Sequence, residues 1–285
     1  MNNINLVTKT PFFEIVLILD DFASLDDIAR SYPYIESKIK GERPPLLPHE
    51  TCLKKVRKIM MGITSSMSYM QLAILQIKRR YNAKYYSEKG YTAYDFYRYH
   101  YSSFCHSITT IHDLYFKLLV ELCDINIGSK RMIQWNKLRD ALNANGENDI
   151  VELIEHYYSV IHEHEQKRNK VSHEGLLSSK MLDNYHLTII WSSLHTKPLT
   201  ADDMHEYIEG TKANKYLLAK TKKAFIGELN TLLTVTIGST QKLFELLLSK
   251  LIQKMSPKFI ESHRNEFIEL NKDSLNRFVL SEHRE

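Results

Sequence analysis

The stretch "ETCLKKVRKIMMGITSSMSYMQLAILQI", Glu50 to Ile77, decides the fold class. Its Val56, Ile59, Ile63, Met67, Met70, Ile74 and Ile77 recur at spacings of three and four. That is the period of one helix face and not the alternation of a strand. The helical pattern runs on to about Tyr86, where Ser87-Glu88-Lys89-Gly90 reads as a turn. Thr92 then opens a second long helix. It carries Phe96, Tyr97, Tyr101, Phe104, Ile108, Ile111, Tyr115 and Leu119 on one stripe, with Gly128 at or just past its end.

Working outward, the same period returns. A shorter helix is expected over Lys130 to Leu142, followed by a turn at Asn143-Ala144-Asn145-Gly146. Asp149 with Glu152 resembles a capping box. The helix it starts carries Ile150, Leu153, Ile154, Tyr157, Tyr158 and Ile161 and continues towards His173, with Gly175 placed to stop it. Within 176–198, Leu187-Thr188-Ile189-Ile190-Trp191 suits strand or helix, and the absence of a partner strand favours helix. Thr200 caps a short helix. A long pattern then covers Lys212 to Met255, with a weak point at Gly238. Ser256-Pro257 starts a last helix to about Leu270. Upstream, residues 12–40 suit two or three short helices, with Ser24 as an N-cap and Pro33 as a breaker. Three prolines within Gly41–Pro48 forbid helix and mark a linker.

The totals agree with this pattern. Only 9 Gly and 7 Pro in 285 residues favour long uninterrupted elements. The expected fold is all-α: a bundle of long antiparallel helices over 49–255, an N-terminal helical extension with its linker over 1–48, and a C-terminal helix and tail over 256–285, together one globular unit. The net charge of +4 is mild for this length, so any claim about nucleic acid rests on where the charges sit. Cys52, Cys105 and Cys123 lack metal-ligand spacing and read as buried thiols of a reducing compartment. No leader pattern and no long apolar run is present, so the expectation is a cytoplasmic protein without a membrane span.

The chemistry concentrates in Lys167-Arg168-Asn169-Lys170-Val171-Ser172-His173-Glu174-Gly175. Continuing the apolar stripe Ile150, Ile154, Tyr157, Ile161 at the helical period reaches Arg168 and Ser172. A guanidinium on a face that begins as core must meet an anion, a carboxylate or a cavity. Asn169 and His173, four apart, share a neighbouring face. His titrates near neutral pH and Arg grips phosphate with two hydrogen bonds, the pair of abilities that phosphodiester cleavage needs.

Arg168, the polar Asn169 after it, and His173 near the end of a long helix resemble the R-x(4–6)-H motif of the HEPN superfamily. The resemblance implies a helical bundle over much of 50–255. It implies a metal-independent endoribonuclease without cofactor that attacks RNA through its 2′-OH and leaves a 2′,3′-cyclic phosphate and a 5′-hydroxyl. Arg168, Asn169 and His173 would be catalytic, with Lys170 and Ser172 as substrate contacts. It further implies a homodimer with facing Arg168–His173 helices, a toxin or antiviral role, and an antitoxin or other regulatory partner. Relatives neutralised by nucleotide transfer carry a Tyr two residues after the His; Gly175 stands there, which argues against that control. A second pair, Arg277 and His283, has Phe278 after the Arg and reads as a chance match.

Residues 78–101 interleave Lys78, Arg79, Arg80, Lys84, Lys89 and Arg98 with Tyr81, Tyr85, Tyr86, Tyr91, Tyr94, Tyr97 and Tyr99. Arg79, Arg80 and Arg98 are therefore candidate RNA contacts. The plainer reading makes Tyr94, Tyr97 and Tyr101 core, with the charges solvating a helix end. His156, His162 and His164 have poor spacing for a metal on a helix, and no metal is expected. The main rival to the nuclease is a HEPN-like bundle without catalysis, binding nucleic acid or protein, with Arg168 as a structural ion-pair partner. An unrelated helical scaffold is a third reading.

Overall fold

Among the described residues, the long stretches of helical periodicity form helices. The structure, a computed structural model, describes residues 5–36, 45–79, 85–86, 88–126, 133–174, 187 and 201–263, with backbone alone at residue 5 and along 32–36, 167–174, 201–215 and 217–218. Its elements are α1 (Asn5–Thr8), α2 (Pro11–Glu36), α3 (Pro48–Lys78), α4 (Ala93–Leu122), α5 (Trp135–Ala144), α6 (Asn148–Glu174), α7 (Ala201–Gln253) and α8 (Pro257–Ser262). No strand occurs among the described residues, and the fold is an all-α bundle.

The chain divides into two compact units. Unit 1 is Met1–Thr64, Asp113–Ile154 and Ile237–Glu285; unit 2 is Ser65–His112 and Glu155–Thr236. In unit 1, Phe12, Val16 and Leu19 of α2 are buried, as are Leu53 and Val56 of α3, Tyr115 and Leu119 of α4, and Leu243 and Phe244 of α7. Phe12 stacks on Phe244 at 4.7 Å between ring centres. In unit 2 the core is Met67, Met70, Ile74 and Ile77 of α3, Tyr97, Tyr101, Phe104 and Ile108 of α4, Tyr157 and Ile161 of α6, and Phe225, Leu229 and Leu232 of α7. The stripes read from the sequence are therefore the buried faces of α3, α4 and α6, with Ile59, Phe96 and Tyr158 half-buried at their edges.

Local chemistry sets the ends. At α3, Pro48 takes the first helical position, where its missing N–H costs nothing, and the Glu50 carboxylate accepts the Leu47 N–H at 2.7 Å. At α4, Thr92 and Asp95 form a reciprocal box: the Asp95 N–H donates to Thr92 Oγ1 at 3.2 Å and the Thr92 N–H to Asp95 Oδ2 at 2.9 Å. Ser256 caps α8 by accepting the Phe259 N–H at 3.2 Å, with Pro257 first in the helix.

Several boundaries differ from expectation. The region read as short helices is the single helix α2, with Ser24 in its interior and Pro33 inside it. The reason is a buried stripe at Phe12, Val16, Leu19, Ala23, Asp27 and Ser31. Its polar members disguise it in the sequence, and its packing outweighs the one backbone bond a proline forfeits. The acid Asp27 is accommodated there because Arg30 Nη2 donates to it at 3.2 Å.

α3 ends at Lys78, short of Tyr86. α5 begins at Trp135 and keeps Asn143 and Ala144 helical, so the turn centres on Gly146 at φ +77°, a conformation that favours glycine. α6 begins at Asn148, which puts Asp149 in its first turn and not at the cap. α7 is one helix of 53 residues, so neither a separate short helix nor a break at Gly238 occurs. α8 ends at Ser262, well before Leu270. The readings at Arg80, Gly128, Gly175, Thr200, Arg277 and His283, and all of 176–198 save the exposed helical Leu187, lie outside the described residues.

Candidate functional site

α6 brings the Arg168 motif to the end of a core helix. Ile150, Ile154, Tyr157 and Ile161 are buried along one stripe, and the next position on it is His164, 3% exposed. His164 Nδ1 lies 3.0 Å from the Tyr101 hydroxyl of α4. Its Nε2 lies 3.6 Å from Glu228 Oε1 of α7. A carboxylate on that side favours a hydrogen on Nε2, which leaves Nδ1 to accept the tyrosine O–H. One buried imidazole thus ties α6 to both neighbouring helices of unit 2, one turn before the motif.

From there α6 stays helical through Glu174, so the backbones of Arg168, Asn169, Lys170, Ser172 and His173 are all helical. Their side chains lie outside the described residues. By helix geometry Arg168 and His173 are separated by roughly 7.5 Å of rise and about 140° of rotation, whereas Asn169 and His173 share a face.

The other candidates fall as follows. Arg79 is exposed just past the end of α3. Arg98 is half-buried on α4. Tyr97 and Tyr101 are buried, which is the plainer reading of that aromatic run, and Tyr94 is half-buried. His162 is engaged locally, with Nδ1 2.8 Å from the Tyr158 hydroxyl and Nε2 2.8 Å from Gln166 Nε2. Among the described residues no group of three or more His, Cys, Asp or Glu is placed to hold a metal ion. Nor is any described helix long and apolar enough to cross a membrane.

Two features escaped the sequence reading. One is His164 as a buried link. The other is Lys222 of α7, whose Nζ donates to the Arg79 carbonyl at 3.0 Å and to the Tyr97 hydroxyl at 3.3 Å. It also lies 5.3 Å from the centre of the Tyr97 ring, a cation–π contact. The signal available for Lys222 was charge density: Lys212, Lys215, Lys220, Lys222 and Lys223 follow one another with no acid between Glu209 and Glu228.

A cleft in unit 1 is lined by Cys123, Asp124, Asn145, Glu147, Lys250 and Lys254. Lys250 pairs there with Glu147 and Lys254 with Asp124. Burial pushes the Cys123 thiol up to about 11, so it is protonated at neutral pH and not a nucleophile. Cys52, buried, is likewise held near 11.

Comparison with protein-family models, with curated proteins and with solved structures gives no match to this chain.

Proposed function

We propose that the protein is a metal-independent endoribonuclease of the HEPN type, with Arg168, Asn169 and His173 as its catalytic residues. The observation that carries this reading is R-N-x3-H on the last turns of α6, a helix whose earlier stripe is core and whose helical form holds through Glu174. The substrate is RNA because RNA supplies its own nucleophile, the 2′-OH. His173 removes the 2′ proton, the oxygen attacks phosphorus, and the 5′ oxygen leaves with a proton from a second imidazole. Arg168 holds the phosphate and stabilises its added charge; Asn169 orients phosphate or imidazole.

One imidazole does not serve both ends of this reaction, and Arg168 and His173 diverge by about 140° on one helix. A two-fold partner with its own motif supplies the second His and lets both residue types converge. The proposal is therefore a homodimer with a composite site, working in the cytoplasm as a toxin or antiviral effector under a regulatory partner.

The test is incubation of the purified protein with single-stranded and structured RNA in EDTA, beside Arg168→Ala and His173→Ala. Cleavage to cyclic phosphate ends that both variants lose, by at least about a hundredfold for a general acid–base residue, is the expected result. A folded dimer that cuts no RNA moves the protein to the non-catalytic interaction module. Cleavage surviving both substitutions places the site elsewhere.

A further inference from the structure

The aromatic run that leads into α4 keeps some of its rings at the surface, and those rings touch one another. Tyr85 packs edge-on against Tyr86 at 5.1 Å between ring centres, and Tyr86 lies 5.2 Å from Phe96. Phe96 meets His100 at 4.6 Å, and His100 meets Tyr99 at 5.2 Å. Phe96 precedes Tyr99 by three positions and His100 by four, so the three share one side of α4. Five rings thus form an unbroken chain within unit 2. Its ends are open: Tyr85 is 56% exposed and Tyr99 70%, with Tyr86, Phe96 and His100 half-buried between them. Burial lowers the His100 pKa, so its ring is neutral at neutral pH and extends the apolar surface. The core does not account for these rings, because Tyr97, Tyr101 and Phe104 fill the inward face of α4. A contiguous exposed aromatic surface marks a place where something binds.

The charge around this shelf is mostly positive. Residues 65–112 hold six Lys and Arg against two acids, an excess equal to the +4 of the whole chain. Of the acids, Asp95 is bound by the Thr92 hydroxyl at 2.6 Å, and Glu88 lies in the turn with Lys89. Two exposed cations are tied to the rings by direct contacts. The Lys89 N–H donates to the Tyr86 carbonyl at 3.0 Å. Lys222 Nζ donates both to the Arg79 carbonyl and to the Tyr97 hydroxyl, and the Tyr97 ring lies 5.3 Å from Phe96. One ammonium therefore holds Arg79 next to the ring chain. Arg79 and Lys89 take part in no ion pair among the described residues. Aromatic rings beside unpaired cations suit an unpaired nucleic-acid strand, which offers a flat base to stack and a phosphate to neutralise at every step. A duplex hides its base faces, and an acidic peptide has no ring at each residue to use the aromatics.

We infer that Tyr85, Tyr86, Phe96, Tyr99 and His100 form a stacking shelf for a single-stranded nucleic acid, with Arg79 and Lys89 on its phosphates. That the strand is RNA rests on the nuclease reading; the shelf itself rests on the rings and their cations. The measurement is fluorescence anisotropy of a labelled oligouridine in EDTA across a salt series, with the full chain carrying His173→Ala so that the probe stays intact. Tyr99→Ala and Tyr85→Ala each weaken binding about tenfold with little change in salt dependence, while Tyr99→Phe, which keeps the ring, binds as the parent. Arg79→Gln/Lys89→Gln makes the log–log salt dependence shallower by about 1.4, at ~0.7 per lost phosphate contact. Tyr69→Ala, which removes a tyrosine of α3 that is 59% exposed and outside the ring chain, leaves binding unchanged. Tyr85→Ala and Tyr99→Ala proteins that bind like the parent overturn the shelf even if the wild type cleaves RNA. Shelf-dependent binding by a wild type that cleaves nothing leaves the shelf standing and removes the nuclease. A duplex of equal length bound as tightly overturns the single-strand assignment. Tyr99→Ala that changes the sedimentation of the protein and not its affinity for the strand also overturns the shelf, and makes this face a contact between copies of the chain.

Discussion

His164 occupies a stripe position that is otherwise apolar, and it does so because Tyr101 and Glu228 meet both ring nitrogens. Tyr101→Phe keeps the ring and deletes the hydroxyl partner. The expected cost is about 1–3 kcal/mol, because a buried nitrogen loses its hydrogen bond, and the urea midpoint of unfolding reads it. His112 is a different case. It is buried on α4 with its ring stacked on Tyr158 at 5.2 Å, and burial pushes its pKa down to about 4 from 6.5. Above pH 6.5 the ring is neutral in both folded and unfolded chains. Between 6.5 and about 4 only the unfolded chain takes up the proton, so stability falls as pH falls, by at most ~1.4 kcal/mol per pH unit. His112→Gln flattens that part of the curve, and urea midpoints measured against pH for both proteins check it. At this scale the sequence marked Arg168, Asn169 and His173 by type and spacing. It could not mark His164, whose role comes from atoms 63 and 64 residues away in the chain.

Elements were legible where their apolar positions kept period. The stripes of α3, α4 and α6 are the buried faces, because burying such a stripe is what holds a helix in a bundle. They were illegible where buried positions are polar, as at Asp27 and Ser31 of α2, or where one glycine weakened a long pattern, as in α7. Gly238 is exposed within α7, and a Cβ added there meets nothing within 4 Å. Gly238→Ala is therefore expected to stabilise the protein by about 0.5–1 kcal/mol, seen as a rise in Tm. Ends carry their own signals. Thr92→Ala removes the hydroxyl that accepts the Asp95 N–H and is expected to cost ~1 kcal/mol by the same measurement.

For the whole molecule, the proposed composite site predicts that the active species sediments at twice the 33.5 kDa chain mass. A monomer that cleaves RNA at full rate would remove the two-copy mechanism while leaving the residues in place. The amino-acid sequence by itself determined the all-α class, because a three-to-four residue repeat buries one face only as a helix, and it nominated the Arg168–His173 segment, because the motif is contiguous. Tertiary structure alone decided that Pro33 and Gly238 lie inside continuous helices, since packing of whole stripes outweighs a local preference. It alone joined α7 to the end of α3, because Lys222 reaches the Arg79 carbonyl across 143 residues of chain, a distance no local pattern spans.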